Sequence, residues 1–383
     1  MGIAVITFIS WFFVVDPGNF ATALESTIAV LVIACPCALG LATPTSIMAG
    51  SGRSAELGIL FKTAEAMENT KSINTVVFDK TGTITKGKPE VTDFEVLESF
   101  DRDMLIGLAA SAEQLSEHPV AHAITLYGQE MNLPLVESTS FKAIPGRGIV
   151  ATVDAKEVIM GTRKLLMDHS IDVSTKLDLA STFENSGKTV MYMVVDSEHV
   201  ATIAIADQIK ETSKEAIASL KEMGIHVVML TGDQENTAQA IAQQVGIDHV
   251  VAGVLPAKKA DVISSLQAEG RKVAMVGDGI NDAPALVVAD VGIAMGTGAA
   301  VAMDAADVTL MQGDLLRVAD TLEMSRLTVR NIKQNLFWAL AYNSVGIPIA
   351  AAGLLAPWIA GAAMAFSSVS VVLNALRLQR AKK

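Results

Sequence analysis

The sequence predicts membrane-spanning helices at both ends of the chain and, between them, a parallel α/β region interrupted by a smaller α+β insert. Three observations predict it. The apolar excess, 51% hydrophobic residues over a length of 383, is concentrated near the two ends. Between them, short β-branched strands alternate with helical stretches and each strand ends in a polar motif, the pattern of parallel βαβ units. From Lys88 to about Ala204 the register changes to closely spaced alternating strands, which marks a separate inserted fold.

Taken in chain order, the first apolar stretch, residues 3–15, begins at Met1 without the basic start of a cleavable leader and reads as a truncated span. The second, 23–43, meets the roughly 20 residues that a bilayer requires. Two more follow at 334–355 and 357–376. No lysine or arginine precedes Arg53. Arg53 and Lys62 follow the second span, Arg326, Arg330 and Lys333 precede the third, and Arg377, Arg380, Lys382 and Lys383 follow the fourth. By the positive-inside rule, the Asp16-Pro17-Gly18-Asn19 turn faces away from the cytoplasm, while both chain ends and the region of about 50–330 face it.

The two cysteines of the chain, Cys35 and Cys37, flank Pro36 inside the second apolar span. Proline removes a helix hydrogen bond and clashes with the preceding turn. In a membrane such a break is tolerated where the freed backbone is buried in protein or lines a path. Positions i and i+2 of an unbroken helix do not face each other, so Pro36 is what lets both sulfurs reach one place. Two thiolates there favour a soft cation such as monovalent copper; the competing reading is two small buried hydrophobes. With no cysteine elsewhere there is neither a disulfide framework nor a cysteine-type zinc site. The net charge of −12 excludes a nucleic acid partner, which needs a basic surface.

In the α/β region, Thr75-Val76-Val77-Phe78 is a strand that runs directly into Asp79. Further strands at His226–Leu230, Lys272–Val276 and Val291–Met295 alternate with helices near 211–223, 235–245 and 257–269. Ligands of such sheets bind beyond the carboxyl ends of the strands. Those ends carry Asp79-Lys80-Thr81-Gly82-Thr83, Thr231-Gly232-Asp233 and Gly277-Asp278-Gly279-Ile280-Asn281-Asp282. A carboxylate can attack phosphorus and hold the phosphoryl as an acyl phosphate, and the rest of that chemistry is positioning and charge stabilisation. Asp79 is the expected nucleophile. Asp79, Asp278 and the Thr81 carbonyl form an all-oxygen magnesium site. Lys259 is read as the cation on the phosphoryl oxygens and Lys258 as a surface lysine, although spacing alone leaves the reverse open; Thr231 offers a hydroxyl donor.

The insert reads as a nucleotide-binding domain whose informative residues are Glu113, His118-Pro119 and Gly146-Arg147-Gly148. Glycines let backbone approach a nucleotide closely, and a histidine ring can stack on adenine. Each signal alone is as readily a plain loop or a helix start.

Together these motifs resemble the copper-transporting heavy-metal class of P-type ATPases, over essentially the whole chain. The resemblance rests on Cys35-Pro36-Cys37, Asp79–Thr83, Ser116-Glu117-His118-Pro119, Gly146-x-Gly148, Thr231-Gly232-Asp233, Gly277–Asp282, and on Tyr342-Asn343 and Met364-Ala365-Phe366-Ser367-Ser368 in the last two spans. It implies a haloacid-dehalogenase-like phosphorylation domain in which Asp79, Lys80, Thr81, Thr83, Thr231, Gly232, Asp233, Lys259, Asn281 and Asp282 are catalytic. It implies ATP on Glu113, His118, Gly146 and Gly148. It further implies transported monovalent copper, with silver as an alternative, on Cys35, Cys37, Tyr342, Asn343, Met364 and Ser368. Met364 taken alone is a packing residue, whereas Asn343 is a costly polar group within a membrane.

The resemblance divides the chain into two spans at 1–47, a stalk and first part of the phosphorylation domain at 48–87, the nucleotide-binding insert at 88–204, the second part at 205–325, and a stalk with two spans at 326–383. The family's Thr-Gly-Glu actuator loop and its Cys-x-x-Cys metal-binding domains have no counterpart here, so the chain resembles the carboxyl-terminal half of such a pump, from the third core helix onward. Thr81 also stands where related soluble phosphatases carry an aspartate acid/base, which slows phosphate release. The expected setting is the plasma membrane, with lipid, copper, and a copper chaperone or separate actuator half as partners. The rivals are a zinc or cadmium pump, a membrane-anchored phosphohydrolase, and a non-transporting regulatory fragment.

Overall fold

In a computed structural model, residues 1–97, 100–171, 177–233 and 235–381 are described; Lys382 and Lys383, part of the charge argument, lie outside them. The chain forms two compact units. One comprises Met1–Ile73, Asp307–Gln312 and Arg317–Lys383, the other Asn74–Ala306 and Gly313–Leu316.

The first unit is helical. Phe20–Ile33 is capped by Asn19, whose side chain accepts from the Thr22 amide and donates to Asp16 at 2.8 Å, so the polar turn is also a helix-start device. The apolar run breaks at Ala34–Pro36, and a new helix starts at Cys37 and continues to Glu56, as the proline argument requires. The long helix Leu316–Ala351 and then Pro357–Leu376 complete the bundle. Gly346 lets the long helix approach Ile33, since a β-carbon there would lie 2.4 Å from that side chain. Trp11 donates to the Ala351 carbonyl at 2.9 Å. A short antiparallel pair, Ile59–Phe61 with Val308–Leu310, also belongs to this unit.

Four spans are expected from the sequence. Among the described residues two stretches are long and apolar enough to cross a membrane, Phe20–Glu56 taken across its break and Pro357–Arg380, while Gly2–Val15 is apolar but shorter. The third expected span is part of the Leu316–Ala351 helix, in which Gln334, Asn335, Tyr342 and Asn343 dilute the hydropathy. One of those polar groups, Asn335, packs inward. Asn335 donates to Ser46 at 3.0 Å and to Asn331 at 3.2 Å, and Asn374 donates to Asn335 at 2.9 Å. Large apolar side chains such as Phe337, Trp338, Trp358 and Phe366 are exposed, a surface that suits lipid better than water.

In the second unit, five strands pair in parallel in the order Val291–Met295, Val273–Gly277, Thr75–Asp79, His226–Leu230 and His249–Val251. The first four are almost wholly buried because helices cover the sheet, the usual state of parallel strands, while the edge strand His249–Val251 is not. The chain leaves this sheet after Ile84 to build a six-stranded antiparallel sheet. Its order is Thr85–Val96, Glu198–Ile209, Thr189–Val195, Lys156–Gly161, Gly148–Val153 and Ser140–Ile144. Arg102–Glu113 and Pro119–Glu130 pack on one face of it through Leu105, Ile106, Ala109 and Ile124. On the other face Leu165, Leu166 and Phe183 form a second core. The expected α/β region with an α+β insert is the fold observed.

Candidate functional site

Register brings the motif residues to one sheet edge. Asp79 pairs with Leu230, and Phe78 lies beside both Met229 and Val276, so Asp79, Thr231 and Asp278 all emerge at the carboxyl ends of neighbouring strands. Asp79, Asp278 and Asp282 bring carboxylate oxygens within 4.8 Å of one another. Lys259 enters between two of them, 2.5 Å from Asp79 Oδ1 and 2.7 Å from Asp282 Oδ1. Asp79, Lys259 and Asp282 are 5%, 7% and 1% exposed. Lys258 instead points outward to Asp261.

Burial raises the Asp79 carboxyl pKa, Asp282 raises it further, and Lys259 opposes both. Burial alone would lower that of Lys259, but the two carboxylates beside it outweigh this and raise it. Three carboxylates against one lysine leave a net negative, all-oxygen pocket, the donor set a hard divalent ion such as magnesium takes. The sequence argument used Asp79, Asp278 and the Thr81 carbonyl; the structure adds Asp282, whose Oδ2 also accepts from the Gly279 amide at 3.0 Å.

The remaining catalytic candidates divide. Lys80 pairs with Asp233 at 2.5 Å, and Thr231 accepts from the Asp233 amide at 3.1 Å, leaving its hydroxyl hydrogen available. Thr83 is fully buried, and its hydroxyl has no partner among the described residues. Thr81, Gly232 and Asn281 are exposed. Gly82 has φ +72°, and a β-carbon there would lie 1.9 Å from the Asp278 carboxylate, so only glycine lets the two loops close. Lys210 was not anticipated. It donates to the Gly82 carbonyl at 2.6 Å; burial lowers its pKa, with Asp278, Asp207 and Asp314 pulling the other way. It follows the last strand of the insert and belongs to no motif, so local sequence offers no signal for it.

All four nucleotide candidates line a single cleft of about 270 Å³, together with Ser116, Arg147, Thr162 and Met191. Glu113 ends its helix almost fully buried, and burial pushes its carboxyl up to about 7 despite a hydrogen bond from Ser116. His118 caps the Pro119 helix, its Nδ1 accepting from the Val120 amide at 3.2 Å, so it is a helix-start residue and a cleft residue at once. Gly148 has φ +143°, and a β-carbon would meet the Met160 carbonyl at 2.0 Å, whereas the space at Gly146 is open. A mostly apolar slot with a few polar groups at its mouth fits a purine base.

In the helical unit the Cys-Pro-Cys break does bring the two sulfurs together, but as a disulfide with Cα atoms 5.6 Å apart. The expectation of two thiolates is corrected to that extent: i and i+2 sulfurs across a broken helix fall within bonding reach, and soft-metal binding belongs to the reduced pair. Cys35 is half-buried and Cys37 exposed. Asn343 donates to the Cys35 carbonyl at 3.4 Å, while its Oδ1 is buried without a partner among the described residues. Met364 is buried in the cluster that includes Cys35, Ile33 and Ile347. Tyr342 is half-buried, and the Ser368 hydroxyl donates to the Met364 carbonyl at 3.2 Å. A partnerless amide oxygen beside the cysteine break fits a cation path.

Residues 73–290 match the family described as haloacid dehalogenase-like hydrolases. The whole chain is 57% identical over 382 residues to a copper-exporting P-type ATPase of Staphylococcus saprophyticus, covering 48% of that protein. It is 56% identical over 382 residues to a protein of the same name from Bacillus subtilis, again covering 48% of it. The chain thus spans about half the length of the curated relatives it matches. A crystal structure of a zinc-transporting PIB-type ATPase in the E2.Pi state superposes with a TM-score of 0.88 at 33% identity, over 99% of this chain and 62% of the other. The catalytic domain of the CPx-ATPase CopB-B superposes with a TM-score of 0.57 at 28% identity, over 71% of this chain and 98% of that domain. The resemblance drawn from the motifs is matched by these relatives.

Proposed function

Because the chain belongs to the haloacid dehalogenase-like hydrolase family, we propose that Asp79 takes the γ-phosphoryl group of ATP as the energising step of monovalent copper export across a membrane. The observation that carries this is the buried Asp79–Lys259–Asp282 cluster at the carboxyl end of the central strand, with Asp278 beside it. Lys259 holds Oδ1, which aims the other carboxylate oxygen, Oδ2, at phosphorus. The bond from that oxygen to the γ-phosphorus forms as the bond to the β–γ bridging oxygen breaks, and ADP leaves with the electron pair. Asp79, Asp278 and Asp282 would hold magnesium, which supplies positive charge to the phosphate oxygens. The cleft of Glu113, His118, Gly146 and Gly148 seats the adenine. Reduced Cys35 and Cys37, with Asn343, Met364 and neighbours, bind the cargo. Silver shares the soft-ligand chemistry of monovalent copper. The charge pattern of the chain supports a membrane setting with the catalytic region on the cytoplasmic side.

Labelling with γ-³²P-ATP tests the reading. The parent chain should acquire an acid-stable, hydroxylamine-sensitive label, and Asp79→Asn should acquire none, because an amide is not a carboxylate nucleophile. Equal labelling of the two would remove Asp79 from the mechanism. The likeness to a zinc-transporting structure favours one second reading, zinc as cargo; it is decided by titrating the reduced chain with Zn²⁺ beside Cu⁺. The buried thioether of Met364 supports Cu⁺.

A further inference from the structure

We propose that Arg330, on the long helix Leu316–Ala351, and Arg377, which follows the helix Pro357–Leu376, form a binding site for the phosphodiester headgroup of an anionic phospholipid. The inference rests on the membrane setting of the helical unit and is independent of which cargo the chain carries. The whole chain has a net charge of −12, yet no aspartate or glutamate occurs after Glu323. Arg326, Arg330, Lys333, Arg377 and Arg380 all stand in that acid-free stretch. Arg330, Lys333, Arg377 and Arg380 are exposed, and among the described residues none of the four is ion-paired. Arg53, on the neighbouring helix Cys37–Glu56, is already engaged: it donates to the Ala381 carbonyl at 2.7 Å and to Glu56 at 2.8 Å. The open cations therefore have no anion of their own chain to meet.

Hydrogen bonds set the two arginines at one level. Asn331 donates to the Asn374 carbonyl at 2.9 Å, and the Asn374 amide donates to Asn335 at 2.9 Å and to Gln334 at 3.5 Å. Further along, Ala339 shares a cluster with Val371, and Ile347 shares one with Met364, so the helices run antiparallel. Arg330 is four residues before Gln334 and on its face, and Arg377 is three residues after Asn374. Each thus leaves its helix about one turn from the same amide pair. On the side away from the charges, Phe337, Trp338 and Leu373 are exposed. Cations above aromatic and then apolar surface match the layers of an anionic lipid, headgroup first and acyl chain below. A guanidinium offers two parallel N–H donors to phosphate oxygens, a fit that a point charge lacks. Free phosphate would satisfy the arginines only; a phospholipid also covers Phe337, Trp338 and Leu373, which makes the lipid the occupant.

The test uses the whole chain in a neutral detergent, with native mass spectrometry counting the lipid retained as phosphatidylglycerol or phosphatidylcholine of identical acyl chains is titrated in. The parent should hold phosphatidylglycerol more tightly. Arg330→Gln and Arg377→Gln should each weaken that binding about fivefold. Lys142→Gln with Lys214→Gln removes charge from exposed positions of the other unit and should change it less than about twofold, because salt screens distant charges. Glycerol phosphate, a headgroup without chains, should not displace the lipid at equal concentration. A second measurement needs no arginine variant. Brominated phosphatidylglycerol should quench the parent's tryptophan fluorescence more than brominated phosphatidylcholine at the same low mole fraction, and Trp338→Phe should remove the excess. Equal retention of the two lipids, or of neither, with equal quenching overturns the inference. An equal loss in the lysine and arginine variants also overturns it, by reducing the site to net charge. Full displacement by glycerol phosphate overturns the choice of a lipid as occupant.

Discussion

The sheet-edge site and the helix-break site both bury polar atoms, and they resolve the cost in opposite ways. At the sheet edge every buried charge has a partner within 2.7 Å: Lys259 stands against Asp79 and Asp282. At the helix break the groups are neutral, and Asn343 Oδ1 and Ser367 Oγ lack partners among the described residues. The difference follows from the work each site is proposed to do. A phosphoryl acceptor gains from charges fixed in advance, because nothing need reorganise when the phosphate arrives. A cargo path must take up an ion and let it go, so it gains from ligands that are incomplete until the ion is present. Buried paired charge marks the first and not the second, while an unsatisfied buried oxygen occurs at both, at the sheet edge as Thr83 Oγ1.

The strongest way to break that contrast is to remove the partner. Lys259→Met leaves Asp79 and Asp282 facing each other in a buried site, and loss of one member of such a pair costs about 3–5 kcal/mol. Urea unfolding of the purified chain should show the loss, together with disappearance of the acyl phosphate. Adding Asp282→Asn should recover much of the stability and none of the label. If Lys259→Met unfolded at the parent's urea concentration, the lysine would not be holding the cluster together.

A buried acid with no cation beside it sharpens the same point. The Glu113 carboxyl titrates at 4.5 when free and is pushed to about 7 by burial. Below the lower value it is protonated in both states and contributes nothing. Between the two, only the unfolded chain releases the proton, so folding loses stability as pH rises, by about 3 kcal/mol once above the upper value. Glu113→Gln should therefore match the parent near pH 4 and exceed it in thermal stability at pH 8. A stability difference that is constant with pH would mean the carboxyl is not buried in its charged form.

In the membrane unit, Met364→Leu keeps the volume of the packed cluster and deletes the thioether. Such swaps usually cost less than about 1.5 kcal/mol in packing, so the fold should survive while Cu⁺ affinity falls modestly. If affinity is unchanged, Met364 is packing only, and the helix-break site depends on its cysteines and oxygens.

How much of this was legible in the sequence depends on how local the cause is. Thr75–Asp79, His226–Leu230 and Val273–Gly277 are strands whose apolar runs end at a functional motif, so strand and site were read together. The cysteine break was legible because Pro36 acts on its own helix. Thr85–Val96 was not read as a strand, because Gly87, Pro89 and its charged residues argue against one; its long ladder with Glu198–Ile209 overrides that weak preference. Lys210 was missed because its contact with Gly82 spans 128 positions of sequence. The disulfide likewise depends on how close the two sulfurs come, which composition does not reveal.

The smallest expected effect completes the comparison from the side of the pair that was left in solvent. Lys258 and Lys259 are adjacent, identical in chemistry, and each is bonded to an aspartate. Lys258 meets Asp261 at 3.0 Å with both side chains about two-thirds exposed, so water and salt screen the pair and side-chain entropy offsets most of its attraction. Lys258→Ala should change stability by less than about 0.5 kcal/mol and leave phosphorylation by ATP at the parent level. One position along the chain, the same substitution removes a cation bonded to two buried carboxylates. If Lys258→Ala abolished the label while Lys259→Ala kept it, the two lysines would have exchanged roles, and burial would have misidentified which of them the chemistry uses.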